Sequence, residues 1–192
     1  MKLVIAGVPG AGKTTIMRFL KEMNVQFQEV NFGDVMFEIA KKEYKVEDRD
    51  KMRTGLSEDQ QKEIQTKAAD KISKMDGNII VNTHAAIRMG EGRYLNGLPA
   101  HVAKTLKPDV IALLEYPPKL ILERRKGDAS RSREMETEEE IERHQQLNYE
   151  FARKASKFAN CRVERISLRF NEEEQFQHAK FAAKKLKEIM VG

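Results

Sequence analysis

The chain holds a single cysteine, Cys161, among 192 residues, which excludes an internal disulfide framework and any zinc site built from several cysteines. Histidine is scarce as well. His84, His101, His144 and His178 are scattered along the sequence and show no metal-ligand spacing. Long apolar runs are missing. The longest uninterrupted aliphatic stretch is Val110–Leu114, far short of the ~18 residues a membrane span requires. Leu3–Ala6 is too brief for the apolar core of a secretory leader and runs directly into a Gly/Pro turn. Internal repeats, low-complexity tracts and linker-like segments are also lacking, so one domain over residues 1–192 is expected. Together these features predict a soluble cytoplasmic protein whose core needs no staples.

What is abundant is charge. Charged residues make up 34% of the chain, and the net charge is +5. The excess is local. Lys119–Arg133 holds six basic residues and two acids, and the next nine positions, Glu134–Glu142, hold six glutamates. Nucleic-acid binders carry a broad basic stripe, often interleaved with aromatics. A short basic block beside an acidic one fits a site for a small polyanion better. The lysines Lys180, Lys184, Lys185 and Lys187 read as the wet face of a last helix whose apolar stripe is Phe176, Ala179, Ala183, Leu186 and Met190.

Leu3–Ala6, Ile79–Val81 and Val110–Leu114 are continuous apolar runs ended by polar or turn residues, the pattern of strands buried on both faces of a parallel sheet. Phe27–Phe32 and Arg162–Leu168 are two weaker strand candidates. Helical stripes lie between them: Ile16, Phe19, Leu20 and Met23, then Ile64, Ala68, Ile72 and Met75. Alternation of this kind predicts an α/β fold, a five-stranded parallel sheet with helices on both faces. Tyr44–Gly55 and Gly127–Glu140 are rich in charge and poor in core residues, so both are expected to be movable flaps.

The strongest motif is Gly7-Val8-Pro9-Gly10-Ala11-Gly12-Lys13-Thr14, which matches G-x-x-x-x-G-K-[ST] between a predicted strand and a predicted helix. Gly7, Gly10 and Gly12 permit the backbone angles that turn successive N–H groups inward as an anion nest. A helix beginning near Lys13 adds its positive end. Lys13 would reach the outer phosphates of a nucleotide, Thr14 would offer its hydroxyl to Mg²⁺, and Thr15 extends the loop. The N-K-x-D and D-x-x-G sequences of GTPases are missing. So is any Ser/His/Asp or Cys/His constellation. Small-molecule and nucleotide kinases remain.

Several further segments together resemble adenylate kinase, in particular its short-lid archaeal type, over most of the chain. Phe32-Gly33-Asp34-Val35-Met36 is similar to the family's Gly-Asp turn after strand two, and Met52-Arg53-Thr54-Gly55-Leu56 to its nucleoside-monophosphate clamp. Leu120–Arg125 with Asp128, Arg131 and Arg133 resembles its basic lid entry, and Asn82-Thr83-His84 and Glu142-Arg143-His144-Gln145 resemble blocks of the archaeal type. The resemblance implies transfer of a phosphoryl group from Mg-ATP to AMP, giving two ADP. It also implies a short lid at about 126–137, an AMP-binding flap at about 33–75, and a homotrimer. Lys13, Arg124, Arg131 and Arg133 are then the catalytic cations. Gly7 to Thr15 hold ATP, Gly33, Asp34, Arg53 and Arg88 hold AMP, and Thr14 meets the metal. Arg125, at the same helix end as Arg124, reads equally well as a cap on the helix dipole.

Departures from the family pattern are expected to matter. Asn82-Thr83-His84-Ala85-Ala86 stands where many members carry Asp-Gly-Phe-Pro-Arg, and Phe37 where an arginine is usual. The AMP phosphate must then be clamped differently, with Arg53 the first candidate. A lid without cysteine cannot bind zinc. Asp34 could orient a metal-bound water or cap a helix. His144 reads as a core histidine, with Arg143 or His144 as substitutes for a phosphate-contacting arginine. Gly90, Gly92 and Gly97 suggest a mobile segment between Ala85 and Leu98. Two rival readings are a kinase for another acceptor (CMP, UMP or a small metabolite) and a nucleotide-dependent RNA-associated protein.

Overall fold

The computed structural model of the chain describes residues 1–89, 92–126 and 136–191, without the side chains of Asp50, Arg53 and Thr54. Its elements run β1 (Lys2–Ala6), α1 (Lys13–Glu22), β2 (Gln28–Asn31), α2 (Phe32–Tyr44), α3 (Arg49–Thr54), α4 (Glu58–Ser73), β3 (Ile79–Thr83), β4 (Ala86–Arg88), β5 (Tyr94–Asn96), α5 (Ala100–Leu106), β6 (Val110–Glu115), α6 (Pro118–Lys126), α7 (Glu138–Ala159), β7 (Arg162–Ser167) and α8 (Gln177–Val191). The main sheet has five parallel strands in the order β2-β3-β1-β6-β7, as the sequence predicts, and β4 and β5 form a separate antiparallel pair. The central strands are the apolar runs: every residue of β6 is buried, and Leu3 to Ala6 are buried completely.

Alternation along β1 divides the core. Leu3 and Ile5 face a layer that includes Ile16, Met17 and Leu20 of α1 and Ala182, Ala183 and Leu186 of α8. Val4 and Ala6 face the opposite layer, with Ala68 and Ile72 of α4, Val102 and Leu106 of α5, and Ala152 and Ala155 of α7. Helices thus cover both faces of a parallel sheet, whose C-terminal strand ends form the usual ligand crevice. Polar chemistry fixes two long helices at their starts. Ser57 with Gln60, and Thr137 with Glu140, form reciprocal capping boxes before α4 and α7.

Three expectations need correction. Tyr44–Gly55 does bury residues: Val46 and Met52 pack with Ala40 and Ile64 in a third cluster, and Phe37 packs against it. The segment after β3 contains the β4–β5 hairpin, paired Ala86 to Asn96 through Arg88 to Tyr94, rather than a loop throughout. Phe176 lies outside α8 with positive φ (63°) and 41% exposure, so the buried stripe of that helix begins at His178 and Ala179.

Candidate active site

The phosphate loop leaves the sheet at the end of β1. Gly7 packs closely, since a Cβ there would lie 3.2 Å from Ala11 Cβ and 3.3 Å from Leu114 Cβ and would require them to shift by a few tenths of an ångström. Gly10 and Gly12 have φ of 92° and 70°, where other residues are strained, and Gly12 is the N-cap of α1. No side chain caps that helix. Its first amides are therefore available to an anion, and the helix dipole favours one there. Ala11 N donates to Val8 O at 3.1 Å, which tightens the turn around Pro9 and Gly10.

Lys13 Nζ donates to the backbone carbonyl of Thr83 at 3.0 Å. Burial pushes its pKa down to about 8, because desolvation disfavours the charged ammonium. A polyphosphate in the nest would supply the missing negative charge. Beside it, His84 Nδ1 lies 2.9 Å from Gly7 O, and because a carbonyl only accepts, that nitrogen carries the proton. The turn after β3 therefore contacts the phosphate loop twice. Thr14 is exposed and Thr15 is partly buried.

Two arginines at the end of α6 border the loop from the other side. The Arg124 guanidinium lies over the Tyr116 ring at 4.6 Å, and its Nη1 is 3.7 Å from where a Cβ on Gly12 would stand. Arg125 Nε donates to Pro9 O at 2.8 Å, and its Nη1 pairs with Glu136. That pair is buried, with each side chain 7% exposed. Arg88 Nε is 3.6 Å from the other oxygen of Glu136, and Arg88 Nη2 is 3.3 Å from Glu140. His144 is buried, with Nε2 3.0 Å from Ala86 O and Nδ1 3.9 Å from Glu136. Burial lowers its pKa, while the Ala86 carbonyl and Glu136 act in the opposite direction.

The remaining expected residues divide plainly. Gly33 and Asp34 sit in the first turn of α2, but the N-cap is Asn31, whose Oδ1 accepts from Asp34 N at 3.3 Å. Asp34 is thus not the cap, and its carboxylate pairs with Arg49 of α3. Arg88 lies on β4 rather than on an open loop, tied to two glutamates. Arg143 is exposed, whereas His144 is buried beside Glu136, with its Nδ1 lacking a hydrogen-bond partner among the described residues. Arg131 and Arg133 lie outside the described residues, and so does the side chain of Arg53. Sequence reasoning missed the Thr83 carbonyl, the His84 contact and Glu136. It also left Arg125 undecided, although this side chain touches the phosphate loop directly.

Among the described residues, no group of three or more His, Cys, Asp or Glu side chains could hold a metal ion. The Thr14 hydroxyl at the end of the nest suits a Mg²⁺ that arrives on a nucleotide, since Mg²⁺ keeps most of its ligands as water and phosphate oxygens. The residues therefore fit a metal carried by substrate rather than a dedicated cage.

Known proteins share this architecture and much of this sequence. Residues 6–142 match the AAA domain family model. The adenylate kinase of Pyrobaculum aerophilum is 47% identical over 184 residues, spanning 95% of this chain and 93% of its own. The adenylate kinase of Methanoculleus marisnigri is 44% identical over 168 residues (84% and 86% of the two chains). That of Pyrococcus furiosus is 48% identical over 149 residues (76% and 75%). In fold, the chain is similar to the shikimate kinase of Acinetobacter baumannii in complex with shikimate, with a TM-score of 0.60, 16% identity and coverage of 99% and 92%. The shikimate kinase of Bacteroides thetaiotaomicron gives a TM-score of 0.56 at 15% identity, covering 100% and 99%. At such identities the likeness is one of architecture alone.

Proposed function

The chain belongs to the adenylate kinase family, in its archaeal form, and from that premise we propose that it transfers the γ-phosphoryl group of Mg-ATP to AMP. An AMP phosphate oxygen attacks the γ-phosphorus in line. The bond from that phosphorus to the bridging oxygen breaks, and two ADP result. The nucleophile is already an anion, so no general base is needed. The single observation that carries the reading is Lys13, a desolvated ammonium held beside an open helix N-terminus with no anionic partner among the described residues.

Each residue then takes a role. The backbone from Gly7 to Thr15 cradles the ATP phosphates, Lys13 neutralises charge that develops on the transferred group, and Thr14 meets Mg²⁺. Arg124 and Arg125 flank the loop, and Arg131 and Arg133 add cations from the lid at about 126–137. The flap at about 33–75, with Gly33, Asp34 and Arg53, takes AMP together with Arg88. Arginine suits these positions because its planar fork grips phosphate oxygens in pairs. Action in the cytoplasm as a homotrimer completes the proposal.

The test is ADP release in a coupled assay with Mg-ATP and AMP, CMP, UMP, GMP or no acceptor. Turnover confined to AMP is expected. Turnover with another acceptor would reassign the substrate, and none with any acceptor would reject the kinase reading. Lys13→Ala should abolish transfer while leaving the fold intact.

A further inference from the structure

The Glu136 carboxylate occupies an unusual position. One oxygen pairs with Arg125, which also donates to Pro9 O of the phosphate loop. Its other oxygen lies 3.6 Å from Nε of Arg88, on the hairpin beyond β3. A single buried carboxylate thus joins a cation of the phosphate-loop side to a cation of the opposite side. The surroundings are dry: the side chains of Arg125 and Glu136 are each 7% exposed, and that of His144 is 2% exposed.

Hydrogen bonding at this cluster is incomplete. Arg125 Nη2, Glu136 Oε1 and His144 Nδ1 are buried with no hydrogen-bond partner among the described residues. Unmet polar groups of this kind are costly, and a functional role or a bound ion is among the reasons a fold keeps them. Two guanidiniums brought this close repel unless an anion lies between them, and a buried cation without its partner is strongly destabilising. The two cations therefore need a negative charge between them. A phosphate group has the same charge sign and more acceptor oxygens, and would satisfy Arg125 Nη2 as well.

We propose that Glu136 is a built-in surrogate for substrate phosphate, holding Arg88 and Arg125 converged and competing with a nucleotide phosphate for both. This rests on the phosphoryl-transfer reading for the identity of the displacing group, but the anion competition stands without it. An internal competitor lowers apparent affinity by the fraction of molecules in which it has let go. Weakening it should tighten anion binding, whereas damage to a true phosphate ligand loosens it.

The experiment compares wild type with Glu136→Gln, which keeps the size of the side chain and one acceptor oxygen but removes its charge. Calorimetry with inorganic pyrophosphate is expected to show binding tighter by about three- to tenfold in the variant. KM for ATP and AMP should fall by a similar factor, with kcat falling less than KM. Unchanged or weaker pyrophosphate binding would overturn the proposal and make Glu136 a fixed support for Arg125. A crystal structure of the wild type with diadenosine pentaphosphate decides the matter even if the variant does not fold. Both arginines should then contact phosphate, and an intact Arg125–Glu136 pair in that complex would reject the idea. If wild type shows no AMP-dependent turnover while the variant still binds pyrophosphate more tightly, the kinase reading fails and the surrogate survives.

Discussion

The carbonyl of Thr83 accepts a hydrogen bond from Lys13 Nζ at 3.0 Å, so a neighbouring strand end holds the key cation of the phosphate loop. A carbonyl is a poor substitute for an anion, and burial leaves the Lys13 pKa at about 8, against 10.5 for an ordinary lysine.

Nucleotide binding should therefore take up protons. Phosphates bind the ammonium form, which is fully populated below the free-state pKa and lost as pH rises through it. ATP affinity should fall above pH 8, and binding at pH 8 should take up about half a proton. Calorimetry in buffers of different ionisation enthalpy reads this directly, and a zero slope at pH 8 would refute it. The same depression affects stability with a definite sign. Between about pH 8 and 10.5 the unfolded chain holds the extra proton, so the Lys13 burden is full below pH 8 and fades above it. Lys13→Met should accordingly raise the melting temperature at pH 7 while transfer is lost.

His84 should act on ATP through the phosphate loop. Its Nδ1–H donates to Gly7 O at 2.9 Å, fixing the first residue of the nest. Losing one such bond costs about 1 kcal/mol, so His84→Ala should raise KM for ATP roughly fivefold. The amide of asparagine can place a donor near the same point, so His84→Asn should recover most of the loss. Equal KM values in all three proteins would show that the contact has no bearing on nucleotide binding.

The strands and the phosphate loop were legible because each depends on local pattern. Val110–Leu114 is apolar throughout since β6 is buried on both faces, and the Gly-rich turn before Lys13 needs backbone angles that few other residues allow. What escaped was long-range. Nothing near Thr83 in the sequence marks its carbonyl as the partner of a lysine seventy positions earlier. Arg125 carried a local explanation as a helix cap, which concealed its bond to Pro9. Glu136 lay hidden in a glutamate-rich run, where a buried member looks like its solvated neighbours. The β4–β5 pair has only three residues per strand, too few for alternation to show.

Gln145 should be a stability residue with an indirect effect on the site. Its Oε1 accepts from Tyr116 N at 2.8 Å and its Nε2 donates to Tyr116 O at 3.0 Å, both buried. This two-point clamp fixes the chain where β6 gives way to α6. Gln145→Leu leaves a backbone donor and acceptor without partners, at a cost of about 2–4 kcal/mol. Urea unfolding should show that loss as a lower midpoint with an unchanged slope. Tyr116 also supports Arg124, at 4.6 Å from its ring, so kcat should fall in the same variant.

Gly97 links the hairpin to the phosphate loop, and its replacement should separate stability from function in a measurable way. Its N–H donates to Ala85 O at 2.8 Å. A Cβ at this position would overlap the His84 carbonyl and stand 3.3 Å from Ile87 Cδ1. Backbone cannot rotate out of the way as a side chain can, so Gly97→Ala must push the hairpin from the His84 turn, at about 2–4 kcal/mol. That turn carries the Thr83 carbonyl and the His84 imidazole, the two contacts to Lys13 and Gly7. KM for ATP should therefore rise along with the loss of stability. Gly77→Ala provides the control. Gly77 has φ of 82° but nothing within 4 Å of a Cβ, so alanine there meets backbone strain alone, worth about 1 kcal/mol. It should lower the melting temperature and leave KM unchanged. If Gly97→Ala behaves like Gly77→Ala, with lost stability and normal KM, the β3 turn does not govern the phosphate loop. If KM rises only in Gly97→Ala, the glycine is retained for the close approach that keeps that turn in place.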